Sequence, residues 1–171
     1  IYDKKNNIIS TFKDTYVSFL DTNDNIKFEA SGNESFFNKK KKIFEIKNNV
    51  TLKDNLNNYS IYSEKIIYLQ IDDIFKSIGP TEINYNTDFL IKTKDINFNR
   101  KENIFYTNEN TIISDNLNNK FELASFNFDL KRKIFKGKKI KLSDSEKNTL
   151  FIELNKINIS NFIKYIFCYL Y

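Results

Sequence analysis

The 171-residue chain contains no histidine, methionine or tryptophan, a single cysteine, one proline and three glycines. Without histidine the commonest general base and metal ligand at neutral pH is missing. No Ser-His-Asp or Cys-His site can therefore be assembled from this sequence. Cys168 alone permits neither an internal disulfide nor a thiolate zinc site, and leaves the redox compartment open. There is no glycine-rich phosphate loop. Asp72-Asp73 is the one adjacent carboxylate pair; it falls in an expected hairpin loop and reads as a solvated turn. The Asp/Asn loops lack the spacing of calcium-binding repeats. An enzyme is not expected, nor a cofactor or metal. The absence of methionine, at position 1 included, suggests a fragment or a processed chain. The longest apolar run, residues 165–171, falls far short of the roughly 20 residues of a membrane-spanning helix, so a soluble chain is expected. So few glycines and prolines leave most turns to Asn and Asp, which bond nearby backbone and tolerate left-handed conformations.

What the chain does have is aromatic side chains, 16% of all residues, far more than a disordered chain carries. Its length suits one domain with a real core. The formal charge is +5, gathered in runs at 39–42, 131–133 and 138–141. Such runs can attract phosphate, but solvated loop tips and edge charges that discourage aggregation account for them as well. Nucleic-acid binding requires aromatics exposed on a sheet beside basic groups. Here the aromatics share the parity that must form the core and the lysines sit in loops, so no nucleic-acid partner is expected.

The aromatics are periodic. An isoleucine follows an aromatic by six residues at Tyr2/Ile8, Phe37/Ile43, Tyr68/Ile74, Phe98/Ile104 and Phe128/Ile134. The isoleucines are 35, 31, 30 and 30 residues apart, and the last four are each followed by phenylalanine. A fixed period of this size means one supersecondary unit used repeatedly. Loop residues separate each aromatic from its isoleucine. A second set of polar loops lies at 21–25, 54–58 and 115–119, the last two sharing Asp-Asn-Leu-Asn-Asn, with a weaker copy at 144–148. Between loops the apolar residues alternate in the strand period, as in Phe44/Ile46, Val50/Leu52, Ile96/Phe98, Phe126/Phe128 and Ile140/Leu142. Polar breaks at Asn48-Asn49, Gly79-Pro80, 108–110 and Gly137-Lys138 predict bends or bulges where a long strand passes from one sheet face to another. The expected fold is all-β, an antiparallel β-jelly-roll built from about five hairpin repeats of about 30 residues sharing one apolar face. A parallel β-helix is disfavoured because glycine-rich corners are missing.

The unit aromatic-Asp/Asn-x-Lys-x-Asn-Ile, followed by a bend and Val-x-Leu-x-Asp, resembles the OstA-like β-jelly-roll of lipopolysaccharide transport. Its clearest copies run from Phe37-Asn38 to Val50-Thr51-Leu52-Lys53-Asp54, from Tyr2-Asp3 to Ile8-Ile9, and from Phe98-Asn99 to Asp115. The resemblance covers residues 1–153. It is similar in length and order to the periplasmic N-terminal domain of the outer-membrane lipopolysaccharide-assembly protein, and to the related freestanding periplasmic bridge. The family's Ala-x-Gly-Asn-Val bend appears only in pieces, and residues 154–171 form an atypical apolar tail with elements of both strand and helical spacing.

The resemblance implies a periplasmic module associated with the Gram-negative outer membrane, carrying lipid acyl chains in an apolar groove. The groove lining would be Phe44, Ile46, Val50, Leu52, Ile66, Tyr68, Phe75, Ile83, Tyr85, Ile96, Phe98, Phe105, Phe121, Leu123, Phe126, Phe128, Ile140 and Leu142. The implied partners are lipopolysaccharide, a same-fold periplasmic bridge joined by edge-strand addition, and an outer-membrane barrel. Without the resemblance, a surface adhesin or a purely structural β-repeat with a dry core shares every other feature.

Overall fold

The computed structural model describes the backbone of residues 2–3, 8–20, 23–152 and 157–158, and the side chains of 13–20 and 23–151. The described residues contain strands and turns and no helix, hence no helix long and apolar enough to cross a membrane. Five strands open the fold, β1 (Tyr2–Asp3), β2 (Ile8–Leu20), β3 (Ile26–Asn38), β4 (Ile43–Asp54) and β5 (Tyr59–Leu69). A sixth long strand, β6 (Ile74–Tyr85), is where the sheet divides. The toe of β6 pairs with β8 (Asn97–Asn99) through Phe75↔Phe98, while its far half pairs with β7 (Phe89–Lys94) through Ile83↔Ile91. Beyond this fork one wing continues through β10 (Thr111–Asp115), β11 (Lys120–Leu123), β14 (Ile140–Ser143) and β15 (Thr149–Ile152). The other continues through β9 (Ile104–Thr107), β12 (Ser125–Asp129), β13 (Ile134–Lys138) and β16 (Ile157–Asn158). Every pairing is antiparallel, as expected from the hairpin repeats.

The long strands bend where the sequence places polar breaks. Asn48 and Asn49 both take the left-handed conformation (φ 62° and 57°), and the β4–β5 register slips between Lys47 and Val50. Matching slips lie between Ser31 and Glu34 of β3 and between Ser63 and Lys65 of β5. In β6 the bend is Gly79, at φ 86°, whose N–H donates to Asp95 Oδ1 at 2.7 Å. Ladder hydrogen bonds fail along this crease, and buried backbone cannot be left unpaired. Small hydroxyls fill the deficit. Thr81 Oγ1 donates to the Gly79 carbonyl (3.1 Å), Thr107 Oγ1 to the Lys94 carbonyl (3.1 Å), and Ser77 Oγ accepts the Ile96 N–H (3.0 Å). The 108–110 break separates β9 from β10. Contrary to expectation, Gly137-Lys138 is not a bend. Both residues lie inside β13, and the crease falls one residue later at Lys139, φ 51°. Gly137 answers a different need, because a Cβ there would meet Leu123 Cδ2 at 2.2 Å and the Ser125 carbonyl at 2.8 Å.

Asp and Asn make the turns by the route their chemistry allows. Asn38, Asn99 and Asp129 accept the N–H three residues on, from Lys41, Glu102 and Arg132. The residue before each of the last four repeat isoleucines (Lys42, Asp73, Asn103 and Lys133) is left-handed. At the opposite ends of the strands, Asp54, Asp115 and Asp144 each accept two backbone N–H groups through Oδ1 and an Asn side chain through Oδ2. The copy at 144–148 is thus as complete in geometry as the one at 115–119. The first aromatic–isoleucine copy pairs as a hairpin, Tyr2↔Ile9 and Asp3↔Ile8, and its side chains lie outside the described residues. Of the tail at 154–171, Ile157 and Asn158 pair with Phe135 and Ile134, and the rest lies outside the described residues.

Candidate functional site

The two wings face each other across the crease. In the wing that contains β8, β9, β12 and β13, the repeat aromatics stand directly opposite one another on successive strands. The register runs Phe37↔Phe44, Phe44↔Tyr68, Tyr68↔Phe75, Phe75↔Phe98, Phe98↔Phe105, Phe105↔Phe128 and Phe128↔Phe135. The sequence repeat is therefore one continuous aromatic ladder. Neighbouring rings pack in pairs, stacked with centroids 4.5 Å apart at Tyr68–Phe75 and 4.2 Å apart at Phe98–Phe105, and tilted at 4.2 Å at Phe128–Phe135. The facing wing carries an aliphatic ladder, Ala30↔Leu52, Leu52↔Ile61, Ile61↔Ile83, Ile83↔Ile91, Ile91↔Ile113, Ile113↔Phe121 and Phe121↔Leu142.

Nearer the mouth, rings of the aliphatic wing reach across. Phe28 meets Phe75 at 4.6 Å, Tyr59 meets Phe98 and Phe105 at 5.2 Å, and Tyr85 meets Phe128 at 4.9 Å. Each of these contacts joins a ring to one from a later strand, so the interior is continuous along the roll.

All eighteen residues predicted from inward parity point into this shared interior. Val50, Leu52, Ile83, Tyr85, Phe121, Leu123, Ile140 and Leu142 lie on the aliphatic wing, and Ile46, Ile66, Phe75, Phe98, Phe105, Phe126 and Phe128 on the aromatic wing, with Ile96 at the junction of β7 and β8; all are buried. Phe44 and Tyr68, at the end where the ladder begins, are only partly buried against the core. Sequence reasoning missed Phe28, Ala30, Tyr59, Ile61, Ile91, Ile113, Leu130 and Phe135. Phe135 carried a signal, being the last phenylalanine of the Ile-Phe series. Ile61 and Ile91 carried one too, in the alternation of their strands.

One cation enters the mouth. Arg100, in the turn between β8 and β9, has a side chain only 13% exposed. Its NH1 bonds Asp73 Oδ1 at 3.1 Å and its backbone N–H donates to the Asp73 carbonyl at 3.0 Å. The guanidinium carbon lies 4.6 Å from the centroid of Phe28, on the opposite wing. Tyr68 donates to the same Asp73 oxygen at 2.8 Å. Burial, then this bond and the Asp73 charge, push the Tyr68 hydroxyl up to about 12, against a lowering by Arg100. Tyr59 is pushed well above its ordinary value, first by burial and then by the Asp54 charge. Its hydroxyl is fully buried without a hydrogen bond of ordinary geometry, although Asp54 and Arg100 are close enough to act on it. Asp73 is thus not the solvated turn residue expected from the sequence; its left-handed turn aims the carboxylate at Arg100 and Tyr68. Asp72 is exposed.

Among the described residues no three His, Cys, Asp or Glu side chains gather where they could hold a metal.

Antiparallel ribbons creased at mid-length, with two wings closing on one apolar interior and not joining at their edges, define an open β-jelly-roll. LptH, the LptA-homologous periplasmic component of the conserved lipopolysaccharide transport device from Pseudomonas aeruginosa, is similar in structure. The TM-score is 0.53 at 12% identity, over 89% of this chain and 98% of that one. The chain therefore has the OstA-like fold of the LptA type. No family model matches the sequence, and no curated protein sequence matches it.

Proposed function

We propose that this chain is a periplasmic lipopolysaccharide-transport module, carrying acyl chains between its wings toward the outer membrane of a Gram-negative cell. The observation that carries this reading is the pair of ladders. Along the roll, from Phe44 to Phe135, no charged side chain interrupts the aromatic row. Lipid transport needs no covalent chemistry, only contacts that stay similar from one position to the next, and a ladder of equivalent residues supplies them. Residues 1–153 would form this module, with Phe44, Phe98, Phe128 and the other inward residues as its groove lining.

Transfer along a relay requires modules to join. Among the described residues β15 pairs only with β14, and β1 only with β2. Such edges accept a further strand, which supports a same-fold bridge on one side and an outer-membrane barrel as the receiving partner.

Photo-crosslinkers at Phe44, Phe98 and Phe128, compared with Lys40 and Asn118 in the turns, test the groove. Lipopolysaccharide adducts are expected at the three interior positions and not at the two loops; equal adducts at both sets overturn the reading. One observation favours the other reading, a structural β-repeat with a dry core. Phe98, Phe105 and Phe128 are no more than 1% exposed and already fill the space between the wings. Lipid carriage requires the wings to part, and the same crosslinking decides between the two.

A further inference from the structure

The mouth is split by charge. The turns bordering the aromatic wing, at 39–42, 70–73, 100–103 and 130–133, carry nine Lys or Arg and three acids. The described turns bordering the aliphatic wing, at 23–25, 55–58, 86–88, 116–119 and 144–148, carry Asp24, Asp88, Asp144 and Glu146 against Lys147 alone. The runs at 39–42 and 131–133 are fully solvated, as a sequence reading expects. Arg100 is the exception, a basic-lip residue folded inward against Phe28.

Resting on the lipid-carrier reading above, we propose that Arg100 and Tyr59 form a phosphate-reading subsite just inside the mouth, which makes the groove selective for a phosphorylated lipid. Three observations point there. A guanidinium has five N–H donors in a planar fork, and among the described residues the one side chain that accepts from it with ordinary geometry is Asp73, through NH1. The Tyr59 hydroxyl is buried with no hydrogen bond of ordinary geometry, and Arg100 and Asp54 are the groups that act on it. Both groups border rings that acyl chains would touch, since Tyr59 packs on Phe98 and Phe105 while Arg100 lies on Phe28.

A phosphate at the lip would take the guanidinium edge that Asp73 leaves free and draw the Tyr59 O–H toward it, away from Asp54. Its acyl chains would enter between the ladders, and its further charges would meet the solvated lysines of the same lip. Arg is suited to this because its fork matches phosphate oxygens two at a time. Asp73 keeps the cation neutralised until the lipid arrives.

The test compares lipid A carrying its phosphates with dephosphorylated lipid A of identical acyl chains, each in detergent micelles, against the full chain. A preference of about tenfold or more for the phosphorylated form is expected, the size of one charge-assisted hydrogen bond. Arg100→Met should abolish the preference, and Tyr59→Phe, a gentler change, should reduce it. Inorganic phosphate in large excess should not displace the lipid. Equal binding of both lipids by the unaltered chain overturns the subsite and leaves the groove reading intact. Binding of neither overturns both. Retention of the full preference in Arg100→Met, or displacement by inorganic phosphate alone, also overturns the proposal. The comparison on the unaltered chain stands even where Arg100→Met is poorly folded.

Discussion

The guanidinium of Arg100 lies 4.6 Å over the ring of Phe28, although the two residues belong to opposite wings of the roll. The contact latches the mouth at a place where no backbone pairing holds the wings together. A cation on a desolvated ring is worth about 0.5–2 kcal/mol. A double-mutant cycle with Arg100→Ala and Phe28→Leu should therefore return a coupling of about 1 kcal/mol in urea unfolding. Strict additivity would show that the wings are held by the ladders alone.

Tyr68 ties the same cluster to pH. Its folded-state value of about 12 exceeds the ordinary 10.0, with burial the first cause and the hydrogen bond to Asp73 the second. The neutral hydroxyl is the form that the fold favours, so the stabilisation is complete below pH 10 and drains away as pH rises through about 12. Tyr59 and Tyr85 are shifted the same way, chiefly by burial. Thermal melts should thus fall steeply across this window. Tyr68→Phe should lose about 1 kcal/mol at neutral pH and show a shallower alkaline fall. An unchanged alkaline slope would remove Tyr68 from the account.

Tyr59 predicts a substitution that stabilises. Its buried hydroxyl lacks a hydrogen bond of ordinary geometry, and a buried polar group left unsatisfied costs about 1–3 kcal/mol. Tyr59→Phe keeps the ring contacts with Phe98 and Phe105 and should raise the urea midpoint. A lowered midpoint would mean that the hydroxyl has a partner after all.

Glycine positions differ in kind. Gly137→Ala drives a Cβ to 2.8 Å from the Ser125 carbonyl and 2.2 Å from Leu123 Cδ2, and should cost about 1–3 kcal/mol by overpacking. Gly79→Ala meets nothing within 4 Å but is held at φ 86°, so its cost is backbone strain of about 1 kcal/mol or somewhat more. Leu123→Ala should partly rescue Gly137→Ala and leave Gly79→Ala unaided, as read by additivity in chemical denaturation.

The ladder and the turns should respond very differently. Phe128 is fully buried, and Phe128→Ala should cost about 3–5 kcal/mol. Leu117, at the tip of the 115–119 turn, is 52% exposed, and Leu117→Ala should stay within about 0.5 kcal/mol. Comparable losses at both sites would argue that the loop leucines are covered.

The strands, their parity and the chemistry of their turns were legible in the sequence, because these are local. Alternation decides which side chains face in, and an Asp or Asn two to four residues from its backbone partners closes a turn without help from the rest of the chain. The period of about 30 also carried the aromatic ladder implicitly, since equal hairpins place equivalent residues opposite one another. Where the ribbon forks at β6 emerges only in the folded chain, because Phe75 and Ile83 are equally good strand residues and nothing nearby says that they pair with different strands. The same holds for Gly137, which serves close packing and not a bend, since the atoms it makes room for lie at the end of β11 and the start of β12. Arg100 is the clearest case. In the sequence it is one more cation in a basic turn; folding brings Asp73, 27 residues earlier, and Phe28, from the other wing, to either side of it. A charge is drawn inward only when a counter-charge and a ring arrive together, and that coincidence belongs to the closed roll.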